Sequence, residues 1–171
     1  MIINCQYDFP ASELDWSKEI KHFRPDQHWG DLDKVSAMLI LRLDVFVDLL
    51  GFPVYPTPKG YGAAYSPSGH ARESWHYVIE GRNKYALAVD VFPTRNPVMT
   101  AEKAVGFGWR GVGFYPRAKY RTPAGFVLCG MNHLDLRTTT PLYWIKDKDY
   151  VYYTDKDEYL EAVRAYRGRR L

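Results

Sequence analysis

The sequence predicts an α+β domain, a small antiparallel sheet with helices packed on one side. Three observations lead there. Leu32, Val35, Leu39, Leu43, Phe46 and Leu50 recur at spacings of three and four, the apolar stripe of one amphipathic helix. Several short extended runs follow, the most apolar being residues 85–92. A last segment, residues 155–167, has acids early and arginines late, which suits the dipole of a second helix. With 171 residues and 46% of them hydrophobic, the chain can bury a core of its own, and 1–171 reads as a single domain.

Taken in order, Ile2-Ile3 reads as a short edge strand, and residues 23–30 as a loop ending at a helix cap. His22 and His28 lie in this region and read as surface residues. Asp31 is the cap expected for the first helix, because its carboxylate accepts from backbone N–H groups in the first turn. Gly51 supplies a left-handed stop and Pro53 forbids continuation. Residues 53–56 are a short extended piece, and the Gly-, Pro- and Ser-rich stretch 57–69 reads as a functional loop walling one side of a site. Residues 74–77 and 85–92 read as strands. Residues 100–105 read as a short helix capped by Thr100. Gly106, Gly108, Gly111 and Gly113 then lead into a strand at 112–115, since no phosphate-loop pattern accompanies these glycines. Two more extended pieces, 126–129 and 133–136, precede a strand at 151–153 and the final helix, capped by Thr154.

Composition narrows the function. A net charge of +3, with the one dense cationic run at Arg164, Arg167, Arg169 and Arg170, reads as a solvated helix end and argues against nucleic acid as a partner. No stretch approaches the ~20 apolar residues of a membrane span, and the first residues lack the pattern of a signal peptide. Cys5 and Cys129 are not spaced as a metal knuckle or redox pair and read as free thiols. Aromatic residues make up 16%, including five Trp and fourteen Tyr, which fill cores or line grooves.

One group of residues carries chemistry. Asp90 is the single charge in an otherwise apolar strand, and a buried carboxylate is expensive unless paired, hydrogen-bonded or bound to a metal. His76 and His133 each fall in or beside a short strand, and His133 shares one strand face with Asp135. Each is an ordinary structural residue when taken alone. Together they form the mixed imidazole and carboxylate set that zinc takes in hydrolases, where three protein ligands leave a fourth position for water.

The order of these segments resembles the M15 peptidases, zinc D-alanyl-D-alanine carboxypeptidases and phage endolysins related in fold to the LAS group. The matching residues are Gly69-His70-Ala71-Arg72-Glu73-Ser74-Trp75-His76, Ala86-Leu87-Ala88-Val89-Asp90, Gly111-Val112-Gly113-Phe114-Tyr115-Pro116 and His133-Leu134-Asp135 followed by Trp144. The resemblance spans roughly residues 20–150 and implies zinc on His76, Asp90 and His133. It implies hydrolysis of an amide in a peptidoglycan stem or cross-bridge peptide, with Arg72 binding a substrate carboxylate or the oxyanion and with Trp75 and Tyr115 as substrate contacts. A phage enzyme released through a holin, or one packed among virion proteins, is the context it implies.

The chain departs from the family in four places. Thirteen residues, Tyr77 to Val89, separate His76 from Asp90, a longer gap than the family's, so a hairpin-like insertion is expected at Glu80-Gly81-Arg82-Asn83-Lys84. Ala86 stands at the family's first Gly. The family's early arginine gives way to Lys59-Gly60-Tyr61. Gly130 and Met131 occupy the positions where relatives carry a general base. Asp135 and His70 are then the candidates for that base, with Asp135 equally able to orient a ligand. The alternative reading is a non-catalytic virion or tail module that keeps the fold.

Overall fold

The computed structural model describes residues 8–57, 62–71, 73–122 and 124–169. The expectations placed on Ile2-Ile3, Cys5, Lys59-Gly60-Tyr61, Arg72 and Arg170 lie outside the described residues. The rest is α+β, a six-stranded sheet with four helices packed around it.

The stripe beginning at Leu32 resolves into two elements. Asp31 caps a short 3₁₀ turn, Leu32–Lys34, by accepting from Asp33 N–H. The helix proper, α2 (Ala37–Leu50), starts at Ser36, whose hydroxyl accepts from Leu39 N–H, and stops at Gly51 in the left-handed region with φ 76°. Before it lies one turn, α1 (Trp16–Glu19). The third helix, α3 (Pro97–Phe107), is capped by the Asn96 side chain, so it begins earlier than Thr100. The fourth, α4 (Lys156–Arg164), is capped by Asp155 rather than Thr154.

The strands are β1 (Val54–Pro56), β2 (Ala88–Pro93), β3 (Gly111–Arg121), β4 (Val127–Asp135), β5 (Leu142–Lys146) and β6 (Tyr150–Tyr153), in the spatial order β1-β2-β4-β3-β5-β6. The expected α+β class holds and the sheet is mostly antiparallel, but it is not small. The sheet has six strands, and β3 pairs with β5 in parallel. The parallel pair arises at the start of β3. There the chain leaves β4 at Asp135, passes over Arg110, and re-enters beside Gly111 as β5. Arg110 N–H donates to Asp135 C=O, Leu142 N–H donates to Arg110 C=O, and the Arg110 guanidinium donates to Thr139 C=O.

Alternation along the strands divides the sheet into two faces. Val89 and Val91 of β2, Val112 and Phe114 of β3, Leu134 of β4 and Ile145 of β5 share one core with Leu39, Ile40, Leu43 and Phe46 of α2, Val98 and Ala101 of α3 and Tyr159 of α4. α3 lies against β2, β3 and β4, and α4 against β5 and β6. The opposite face is set by one row of register partners running across five strands: Asp90 opposite His133, His133 opposite Gly113, Gly113 beside Trp144, and Trp144 opposite Tyr152. The next row pairs Ala88, Asp135, Gly111 and Leu142. Partners in register project to the same side, so this face brings Asp90, His133 and Asp135 together.

The alternate glycines have a steric reason. A Cβ on Gly111 would lie 2.1 Å from an Asp135 carboxylate oxygen, and one on Gly113 would lie 2.4 Å from the Trp144 ring. The bare backbone of β3 is the floor on which these two side chains rest.

Candidate metal centre

Two of the candidate ligands come from neighbouring strands. Asp90 on β2 and His133 on β4 are register partners, which brings His133 Nδ1 to 2.9 Å from Asp90 Oδ1. The third, His76, does not sit in a strand. Residues 74–77, expected to be extended, form turns, with Ser74 N–H donating to Ala71 C=O and Tyr77 N–H donating to Ser74 C=O. The segment is tied to the sheet by Leu87 N–H donating to Trp75 C=O, and to the loop 62–66 by Ser66 N–H donating to His76 C=O. His76 is wholly buried. Its Nδ1 lies 2.8 Å from Ala64 C=O, an acceptor only, so Nδ1 carries a proton and it is Nε2 that faces the triangle. That Nε2 is 3.1 Å from His133 Nδ1 and 3.4 Å from Asp90 Oδ1.

The segment between His76 and Asp90 folds back as a turn at residues 79–83, as the Gly and Asn at its tip suggest. Arg82 N–H and Asn83 N–H both donate to Ile79 C=O, and the Asn83 side-chain amide donates to Tyr77 C=O and Tyr85 C=O. Arg82 donates to Glu73 C=O and Ser74 C=O while its guanidinium lies over the Trp75 ring at 4.3 Å.

Three donor atoms from three segments therefore stand 2.9–3.4 Å apart. Ligand atoms about 2.0–2.1 Å from a tetrahedral zinc ion are separated by about 3.3 Å, so the triangle fits one such ion. A third imidazole is close by. The donor atoms of His70, His76 and Asp90 all lie within 4.8 Å of one another, a group that could itself hold a metal ion.

Electrostatics bind the triangle together. Burial alone would raise the Asp90 pKa, but the flanking His76 and His133 overcome it and hold the carboxylate well below its usual range. Burial alone would lower the His133 pKa. The hydrogen bonds to Asp135 and Asp90 outweigh it and raise the imidazole to about 9. Asp135 goes down to about 2 because His133 and Arg137 outweigh its burial. Without a metal, His133 is an imidazolium. Its Nδ1–H points at Asp90, and its Nε2–H points at Asp135 at 3.1 Å.

The surroundings assign roles to the remaining residues. Asp135 is fully buried, and Arg137 donates to both of its oxygens, Nε to Oδ1 at 2.9 Å and Nη2 to Oδ2 at 2.6 Å. It stands behind His133, at the nitrogen facing away from Asp90. Of the roles open to it, orienting a ligand fits this geometry and proton transfer at the triangle does not. Tyr115 lines the cleft over the triangle and accepts from Trp144 Nε1 at 3.0 Å. Burial, with the Asp90 charge nearby, pushes the phenol pKa up, so it stays protonated. Trp75 is only 6% exposed and packs on Leu87 and Ala88 beneath Arg82, which makes it part of the cleft wall rather than an open stacking surface.

The cleft measures about 820 Å³ and is lined by His70, Glu73, Tyr115, His133, Trp144 and Tyr152, among others. Comparison with protein-family models, with curated proteins and with solved structures gave no match to this chain. No helix among the described residues is long and apolar enough to cross a membrane. Sequence reasoning missed Arg137, the residue that fixes Asp135. The pattern His-x-Asp-x-Arg, residues 133, 135 and 137 with the arginine just past the end of β4, was the available signal.

Proposed function

We propose that this chain is a zinc-dependent peptidase that hydrolyses amide bonds in the peptide part of peptidoglycan. The observation that carries the reading is the triangle of His76, Asp90 and His133 donor atoms, of which Asp90 and His133 belong to residues lining the cleft. Two imidazoles, the second neutral once His133 gives up its Nδ1 proton, and one carboxylate are a donor set suited to zinc, which would leave a vertex for substrate. The resemblance to zinc carboxypeptidases and phage endolysins supplies the substrate class and the phage context. When bound, zinc lowers the pKa of water to near neutrality and polarises a carbonyl.

The chain's own residues provide the rest. Ala64 C=O fixes the His76 tautomer, and Asp135, clamped by Arg137, fixes the His133 ring. Trp144 supports Tyr115, whose neutral hydroxyl offers a donor to a substrate carbonyl or to the charge developing on it. Incubating the protein with purified muropeptides, followed by mass spectrometry, tests the reading. Cleavage should require zinc and should vanish in His76→Ala. Undiminished cleavage by a zinc-free His76→Ala protein would overturn it.

A second reading is favoured by one observation, that Gly130 and Met131 stand where a proton acceptor is expected. On that reading the chain is a virion module that retains the fold without the activity. Intact stem peptides after prolonged incubation with zinc-loaded protein, together with its detection in purified particles, would select it.

A further inference from the structure

The ligand triangle has a third imidazole on its cleft side. His70 lines the same cleft, and its ring lies flat on His76, with centroids 4.1 Å apart and planes 17° from parallel. Its donor atom is within 4.8 Å of those of both His76 and Asp90. Its backbone is pinned. The Tyr77 hydroxyl accepts from His70 N–H at 2.9 Å and donates to His70 C=O at 2.8 Å. With both backbone groups held by one side chain, the backbone position of His70 is fixed.

We propose that His70 is a fourth, displaceable ligand of the ion held by His76, Asp90 and His133. The proposal rests on the metal reading above and deepens it. Donors on a tetrahedral zinc ion stand about 3.3 Å apart, so closing a separation of up to 4.8 Å needs a ring movement of roughly 1–2 Å. A side-chain rotation supplies that without moving the backbone. The ring then has two positions. In one it lies stacked on His76, and the fourth vertex faces the cleft. In the other it occupies that vertex, and four protein donors close the site as in structural zinc centres. Substrate would have to displace His70 to reach the ion, so the protein without substrate keeps its ion shielded from water and from competing ligands. Tyr77 sets the reach of the swing, because it holds the pivot.

Zinc-edge X-ray absorption on the wild-type protein without substrate reads the number of imidazoles directly and needs no variant. Three imidazoles with one carboxylate are expected, and two imidazoles with added water would overturn the proposal. Cobalt substitution gives an independent reading. The wild-type protein should show the intense visible bands of four-coordinate Co(II). His70→Ala, checked for native fold by circular dichroism, should shift those bands in position as a water takes the place of the imidazole, and should bind zinc at least tenfold more weakly. Identical spectra and affinities in the two proteins would sink the role given to His70 while leaving the triad intact. Failure of the wild-type protein to take up either metal would instead remove the triad on which the proposal stands.

Discussion

His133 faces two carboxylates through two different nitrogens, and this has a consequence for pH. Its pKa in the metal-free fold is raised to about 9, above the ~6.5 of an unfolded histidine. Its contribution to stability is therefore complete below about pH 6.5 and is lost as pH rises through about 9. Zinc must replace the Nδ1 proton, so zinc binding at pH 7 should release about one proton. Its apparent affinity should rise roughly tenfold per pH unit up to about 9. Calorimetry in buffers of different ionisation enthalpy measures this, and no proton release at pH 7 would contradict it. Asp135→Asn should weaken zinc binding about 10–100-fold without abolishing it, as expected for a residue acting through a ligand. Tyr115→Phe should lower kcat/KM about tenfold or more with zinc content unchanged, because it removes only the hydroxyl. The sequence made Asp90 and the two histidines legible, since a lone charge in an apolar strand and two isolated imidazoles call for partners. It left the task of Asp135 open, because only the register shows that Asp135 lies behind His133 with Arg137 across both its oxygens.

The elements hold the site through β3, whose glycines leave room for side chains from the strands on either side. Gly113→Ala would drive a Cβ into the Trp144 ring, and Gly111→Ala would drive one into the Asp135 carboxylate. Each should cost about 1–3 kcal/mol in stability by denaturant titration, and Gly111→Ala should also weaken zinc binding. A Gly113→Ala protein as stable as the wild type would show that Trp144 does not lie over β3 as described. The helix stripe and its Gly51 stop were readable because periodicity and the left-handed cap are local. Strand β5 was not read, although Pro141 and Asp147 bound its aromatic run; its place beside β3 depends on the Arg110 hydrogen bonds from a distant segment. The 74–77 segment misled in the other direction. Its aromatic residues suit a strand, but the hydrogen bonds from Ser74 and Tyr77 close turns there.

For the molecule as a whole, the centre joins three segments far apart in the chain. The His76 turn, β2 and β4 meet at one point, while the helices pack on the other face of the sheet. An ion held there binds the folded state alone, so it should stabilise the whole fold. At a free zinc concentration of 100 times Kd the gain is about 2.7 kcal/mol, which for a domain of this size raises Tm by roughly 5–10 °C. Differential scanning calorimetry with and without zinc measures it, and an unchanged Tm at saturating zinc would show that the ion does not bridge these segments. The α+β class was legible from element types alone. The six-strand order and the parallel β3–β5 pair were not, since both depend on contacts between segments distant in sequence.

The most direct measurement is a crystal of the zinc-loaded protein with diffraction recorded on both sides of the zinc absorption edge. One anomalous peak is expected about 2.0–2.2 Å from His76 Nε2, His133 Nδ1 and Asp90 Oδ1. A peak elsewhere, or none at these three atoms with the protein at full zinc occupancy, would contradict that expectation.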